Sequence, residues 1–139
     1  MKKWFLLILL VIMTFSTGCS RSALSKIEKE IGAKFPDNSQ VLYYAKGSTF
    51  TGEASVIALI SVKSEPTKIL YSGLNFRSNR DVYIEELLES RLASLDFPEE
   101  DYPNWKDEHI WVSTSEGYYG MALFYFPDTM RVFYCNWGH

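Results

Sequence analysis

The 139-residue chain predicts an α+β domain, an antiparallel sheet of five to six strands with two helices packed on one face. Three observations lead there. Apolar residues recur at helical spacing twice, over residues 20–32 and 84–95. Between those stretches, residues 40–63 alternate apolar and polar side chains in the manner of strands. After residue 109 come three runs rich in Trp, Tyr, Phe and Val, separated by tight-turn residues. Helix, two or three strands, helix, three strands is an order that suits antiparallel pairing.

In the first helix Ala23, Leu24, Ile27 and Ile31 form the apolar stripe, Ser25-Lys26-Ile27-Glu28 reads as an internal capping box, and Gly32 is placed to end the element. Phe35-Pro36-Asp37-Asn38-Ser39 is a turn. Gln40 to Lys46 then reads as a strand with Val41, Tyr43 and Ala45 on one side. From Glu53 to Lys63, Val56, Ala58, Ile60 and Val62 alternate with Ser55, Ile57, Leu59 and Ser61; being apolar on both sides at its middle, this strand belongs inside the sheet. Ile69-Leu70-Tyr71 adds a short strand, bounded by Pro66 and Gly73.

The second helix carries Ile84, Leu87, Leu88, Leu92 and Leu95 on one face and Glu85, Glu86, Glu89 and Arg91 on the other. Ser78 or Asn79 is placed to cap it, Asp81 suits its positive N-terminus, and Pro98 lies beyond its end. The final three strands run from His109 to Thr114, from Tyr118 to Phe126 and from Met130 to Cys135, a meander turning at Ser115-Glu116-Gly117 and Pro127-Asp128-Thr129.

The first 18 residues differ from all of this. Lys2 and Lys3 precede an unbroken apolar run from Trp4 to Met13, with no acid before Gly18, which is the pattern of an export signal. Trp4 to Phe15 would span about 18 Å as a helix, short of the roughly 20 residues that a bilayer core of about 30 Å requires. At the end of this segment Ser16-Thr17-Gly18-Cys19 resembles the lipobox of the bacterial lipoprotein family, matching at three of four positions, with Ser16 where the family usually has Leu. The resemblance implies that residues 1–18 are a signal peptide, that the Cys19 thiol takes a diacylglycerol thioether, and that residues 19–139 form one lipid-anchored domain. Its address would be the outer membrane, facing the periplasm, in a Gram-negative cell, or the outer face of the single membrane in a Gram-positive one. Phe35-Pro36 with Ser39, Val41, Tyr43 and Tyr44 also resembles the opening strand of small uncharacterised bacterial envelope lipoproteins, and brings no function with it.

Composition narrows the chemistry. With 47% hydrophobic and 16% aromatic residues and a net charge of -3, the chain is neither disordered nor a basic nucleic-acid binder. Without Lys2 and Lys3 the net charge becomes -5, all of it within residues 96–108, where Asp96, Glu99, Glu100, Asp101, Asp107 and Glu108 face one base, Lys106. A solvated loop is the first reading of this run and a docking surface for a basic partner the second. Calcium ranks lower, because the run has no Asp-x-Asp-x-Asp-Gly register.

His109 stands beside Asp107 and Glu108, but adjacent strand residues point to opposite faces, and no spacing motif supports zinc on His109 and His139. Nucleophile elbows, phosphate-binding glycine loops and Cys-x-x-Cys are absent, and Cys135 reads as a small buried hydrophobe. No enzyme and no cofactor is expected. The aromatics of the last 35 residues exceed what one sheet face needs for a core. They place an aromatic surface on the other, with Trp105, Trp111, Tyr118, Tyr119 and Tyr125 as candidate partner-binding residues beside Glu99, Glu100 and Asp101. The leading expectation is a non-enzymatic interaction module of accessory, inhibitor or immunity type, tethered to the membrane through its lipid and binding an envelope protein. The alternative is a carrier of a small ligand or lipid in a pocket between sheet and helices.

Overall fold

The computed structural model describes residues 21–48, 54–63 and 74–138. Helix α1 covers residues 21–31 and ends at Gly32, whose φ of +69° is the left-handed conformation that glycine adopts without strain. The internal capping box does not form, since Ser25 lies within the helix. Glu28 instead reaches forward, its Oε1 accepting from the Phe35 backbone N–H at 3.0 Å and fixing the chain as it leaves the helix.

Five strands follow as an antiparallel sheet: β1 (Gln40–Ser48), β2 (Ala54–Ser61), β3 (Ile110–Glu116), β4 (Tyr119–Phe126) and β5 (Arg131–Trp137). Their spatial order is β1-β2-β5-β4-β3, so the last strand lies at the centre and joins the two hairpins. β2 is interior, as its two apolar sides predict. The short strand expected at Ile69-Leu70-Tyr71 lies outside the described residues. On the outer side of β3, the segment before the second helix makes a single bridge, with Arg77 and Trp111 exchanging both backbone hydrogen bonds.

Helix α2 (Val82–Ser94) begins one turn later than Ser78 or Asn79 would start it. Asp81 is the cap, its carboxylate accepting from the N–H groups of Tyr83 and Ile84. Leu88 and Leu92 are fully buried, and Ile84 and Leu95 pack at the margin of the same core. A 3-10 turn, Glu99–Asp101, follows.

The α+β architecture and the antiparallel sheet are as expected, but the two helices do not share a face. Ile27 and Ile31 of α1 pack with Phe35 against Ala58, Ile60, Met121, Leu123, Tyr125, Val132 and Tyr134. Leu88 and Leu92 of α2 pack against Ile57, Leu59, Ala122, Phe124, Phe126, Phe133 and Cys135, which are the alternate residues of the same strands. The reason is the two-sided apolarity of β4 and β5, in which every residue from Met121 to Phe126 and from Val132 to Asn136 is buried. Each buried large apolar side chain contributes about 1.5–3 kcal/mol, so a bare face on these strands would be costly. One helix therefore covers each side, giving three layers.

β1 holds a second departure. Its pairing shifts between Val41 and Tyr43, which face Ile60 and Leu59, neighbouring residues of β2. Leu42 is the extra residue of a β-bulge and is exposed. Val41 consequently packs into the α1 core while Tyr43 and Ala45 pack into the α2 core, so the three do not share one side. The Tyr43 hydroxyl donates to the Leu95 carbonyl at 3.0 Å, tying the edge strand to the end of α2.

Candidate functional site

The β3–β4 hairpin projects the most exposed aromatic residues. Glu116 pairs with Tyr119 and the chain turns at Gly117-Tyr118, leaving Tyr118 85% and Tyr119 55% exposed. Thr114 pairs with Met121, so Thr114, Glu116, Tyr119 and Met121 lie on the α1 side of the hairpin. There they border an open depression of about 220 Å³, completed by Ser115, Gly120 and Glu30 of α1. Gly120 has no room for a side chain on its other side, where a Cβ would overlap the Trp137 ring.

Glu30 is held from beneath. The Asn136 amide donates to its two carboxylate oxygens at 3.0 and 3.1 Å, while Asn136 Oδ1 accepts from the Val56 N–H at 2.7 Å. The same amide donates to the Tyr134 hydroxyl at 3.1 Å. Asn136 and Tyr134 are buried, and burial, reinforced by the negative charge of Glu30, raises the Tyr134 phenol well above its ordinary value. A second open depression, of about 320 Å³, runs along α1 and the turn after it, between Ser25 and Lys34.

The other candidate partner-binding residues are placed differently. Trp111 is buried in the α2 core, its indole N–H donating to the Asn79 carbonyl at 2.6 Å and its ring lying under the Arg77 guanidinium at 5.3 Å. Tyr125 is buried on the opposite face, against α1. Neither residue has the surface to meet a partner, and the correction follows from the helix on each side: the aromatics fill two cores instead of one core and one open face. Trp105 is half-buried, donating to Glu89 at 2.6 Å and meeting Phe124 and Phe126.

Residues 96–108 are anchored by their aromatics, with Phe97 buried and Tyr102 and Trp105 packed at the margin of the α2 core. Glu99 and Glu100 are exposed, whereas Asp101 faces Arg131 at 3.3 Å. The acidic side chains are thus the outer surface of a packed segment. Cys135 is free and fully buried, and burial pushes its thiol up to about 12, far from thiolate reactivity at neutral pH. Cys19 lies outside the described residues.

One buried ionic group went unforeseen. Glu85, placed on the solvent face of α2 by its charge, is only 3% exposed and receives two hydrogen bonds from Arg80, at 3.0 and 2.5 Å. His109, also buried, has its Nε2 3.4 Å from Glu85 Oε1 and its Nδ1 2.8 Å from the Asp107 carbonyl. A carbonyl only accepts, so Nδ1 carries a proton. The imidazole stacks on Phe126 and meets the edge of Trp105. Glu85 lies one turn before Leu88 and Leu92, and its spacing from them was the available signal; its charge outweighed that spacing in the reading of the helix. The hydrogen bonds from Arg80 hold the Glu85 carboxyl below the usual carboxylate range, against the opposing effect of burial.

Among the described residues no group of three or more His, Cys, Asp or Glu side chains is placed to hold a metal ion, and no helix is long and apolar enough to cross a membrane. Arg80, Glu85 and His109 brace α2 against the strand that starts at Ile110, and the hairpin tip is where aromatic surface meets solvent. Compared with models of known protein families, with curated proteins and with solved structures, the chain matches none.

Proposed function

We propose that the chain is a lipid-anchored envelope protein that works as a non-enzymatic interaction module, contacting another envelope protein through the tip of the β3–β4 hairpin. The observation that carries this reading is the exposure of Tyr118 and Tyr119 in a sheet whose remaining strand aromatics are mostly buried. Adjacent tyrosines offer large, amphipathic contact area at small entropic cost, which is why such residues concentrate in the energetic centres of protein interfaces. Anchoring through Cys19 would hold the domain near the membrane, because α1 is already helical at residue 21.

The carrier alternative is less well supported. Ligand cavities usually measure about 300–1,000 Å³ and enclose their occupant, whereas the depression between α1 and the hairpin is smaller and open. The larger one is lined by Ser25, Glu28, Lys29 and Lys34 on the outer side of α1, away from either core.

The test is co-purification after mild detergent extraction, comparing wild type with a Tyr118→Ala/Tyr119→Ala double variant. One stoichiometric protein partner should accompany the wild type and be lost from the variant. Recovery of no partner, or equal recovery from both, would overturn the proposal.

A further inference from the structure

The depression beside the exposed tyrosines has a composition that selects a ligand. Its lining includes two carboxylates, Glu30 and Glu116, and three hydroxyl groups, those of Thr114, Ser115 and Tyr119; no lysine or arginine lines it. An anion would meet uncompensated repulsion there, and a neutral apolar group would strip water from carboxylates without replacing their hydrogen bonds.

Glu30 is the informative member. A carboxylate on the outer side of a surface helix is ordinarily mobile, yet this one is oriented by the amide of Asn136. That amide belongs to a residue only 4% exposed and is pinned at its other end by the Val56 N–H. Support of this kind, a buried group that holds a surface group in place, lowers the entropic cost of engaging a ligand. The aromatic wall, Tyr119, stands across from it on the same side of the sheet as Met121 and presents a half-exposed ring.

We propose that this depression receives an arginine side chain of the protein partner; the inference rests on the interaction-module reading and names the chemistry at its contact. A guanidinium presents planar N–H pairs that match a carboxylate held in one orientation, stacks over a phenol ring, and has further N–H groups for the Thr114 and Ser115 oxygens. A lysine ammonium offers a point charge and uses fewer of these features. Tyrosine and arginine are also the residues most often found at the energetic centres of interfaces.

The experiment titrates the full-length protein, in mild detergent micelles, with an end-blocked Gly-Arg-Gly peptide and with the same peptide carrying citrulline, which keeps the shape and removes the charge. Backbone amide NMR signals of Glu30 and Thr114 to Met121 should shift saturably with the arginine peptide and not with citrulline. Glu116→Gln, at an exposed position, should weaken binding about threefold, as expected for loss of one surface ion pair. Absence of saturable shifts at those amides, or equal shifts from the citrulline peptide, would overturn the arginine site. The two readings fail separately. A partner that is lost from the double tyrosine variant but retained by Glu116→Gln would refute the arginine contact and leave the interaction module standing. Peptide binding without any co-purified partner would do the reverse.

Discussion

Glu85 shows how much one buried carboxylate can govern. It sits on the packed side of α2, with Arg80 supplying two hydrogen bonds and His109 facing it from the foot of β3. A carboxyl depressed in the folded state stabilises the protein above its unfolded value, about 4.3, and that contribution is lost as pH falls through the folded value. Glu85→Gln should therefore flatten the acid limb of the stability profile: between about pH 4 and pH 2 the wild type should lose more Tm than the variant. Thermal unfolding followed by circular dichroism across that range measures the difference, and parallel curves would show that Glu85 is not the titrating group. At neutral pH the variant should cost about 2 kcal/mol, because a buried carboxylate acceptor and its charge-assisted bonds are lost. Cys135 and Tyr134 are perturbed in the opposite direction, chiefly by burial, and contribute no pH dependence in this range.

Among the elements, α2 depends on a single capping side chain. Asp81 accepts from two otherwise unpaired N–H groups at the first turn, and Asp81→Ala should cost about 1 kcal/mol. A lowered urea midpoint with an unchanged slope would register that loss as one of stability, without expansion of either state. Much of this level was legible in the sequence. The leucine stripe of α2, the two-sided apolarity of β2 and the glycine after α1 each report a local period or a backbone requirement, and each element lies within a few residues of its expected span. What escaped were features that depend on distant parts of the chain. The bulge at Leu42 keeps Val41 and Tyr43 in register with β2 while sending them to opposite cores, and nothing in Val-Leu-Tyr-Tyr announces it. Glu85 and His109 are brought together by packing across 24 positions of chain. The placement of the helices had a visible signal: Met121 to Phe126 is a continuous apolar run, which requires cover on both faces. Reading its second face as a binding surface misassigned Trp111 and Tyr125, while Tyr118 and Tyr119, near the turn, escape both cores.

At the scale of the whole molecule, the three layers leave little aromatic surface exposed on the sheet except at the hairpin tip, and the acidic residues 99 and 100 lie on the outer side of a packed segment. The proposed anchor makes its own prediction. Cells labelled with palmitate should incorporate it into the wild-type chain and not into Cys19→Ala; equal label in both would remove the lipid from the proposal. Two or more acyl chains are needed for lasting attachment, since one chain binds membranes only marginally. With α1 already formed at residue 21, rotation of the domain about such an anchor would be confined by a very short tether, and the hairpin would sample a limited range of heights above the bilayer.

The central place of β5 has a temporal consequence. β1–β2 and β3–β4 are each local hairpins, but the ladders that unite them all run through residues 131–137, with Val56 meeting Asn136 across 80 positions of chain. A chain threaded N-terminus first through a pore, or growing from a ribosome, would hold two unconnected hairpins until nearly its last residues arrived. Closure of the sheet then becomes a single late event, and the loop entropy of those distant pairings makes it the slow one.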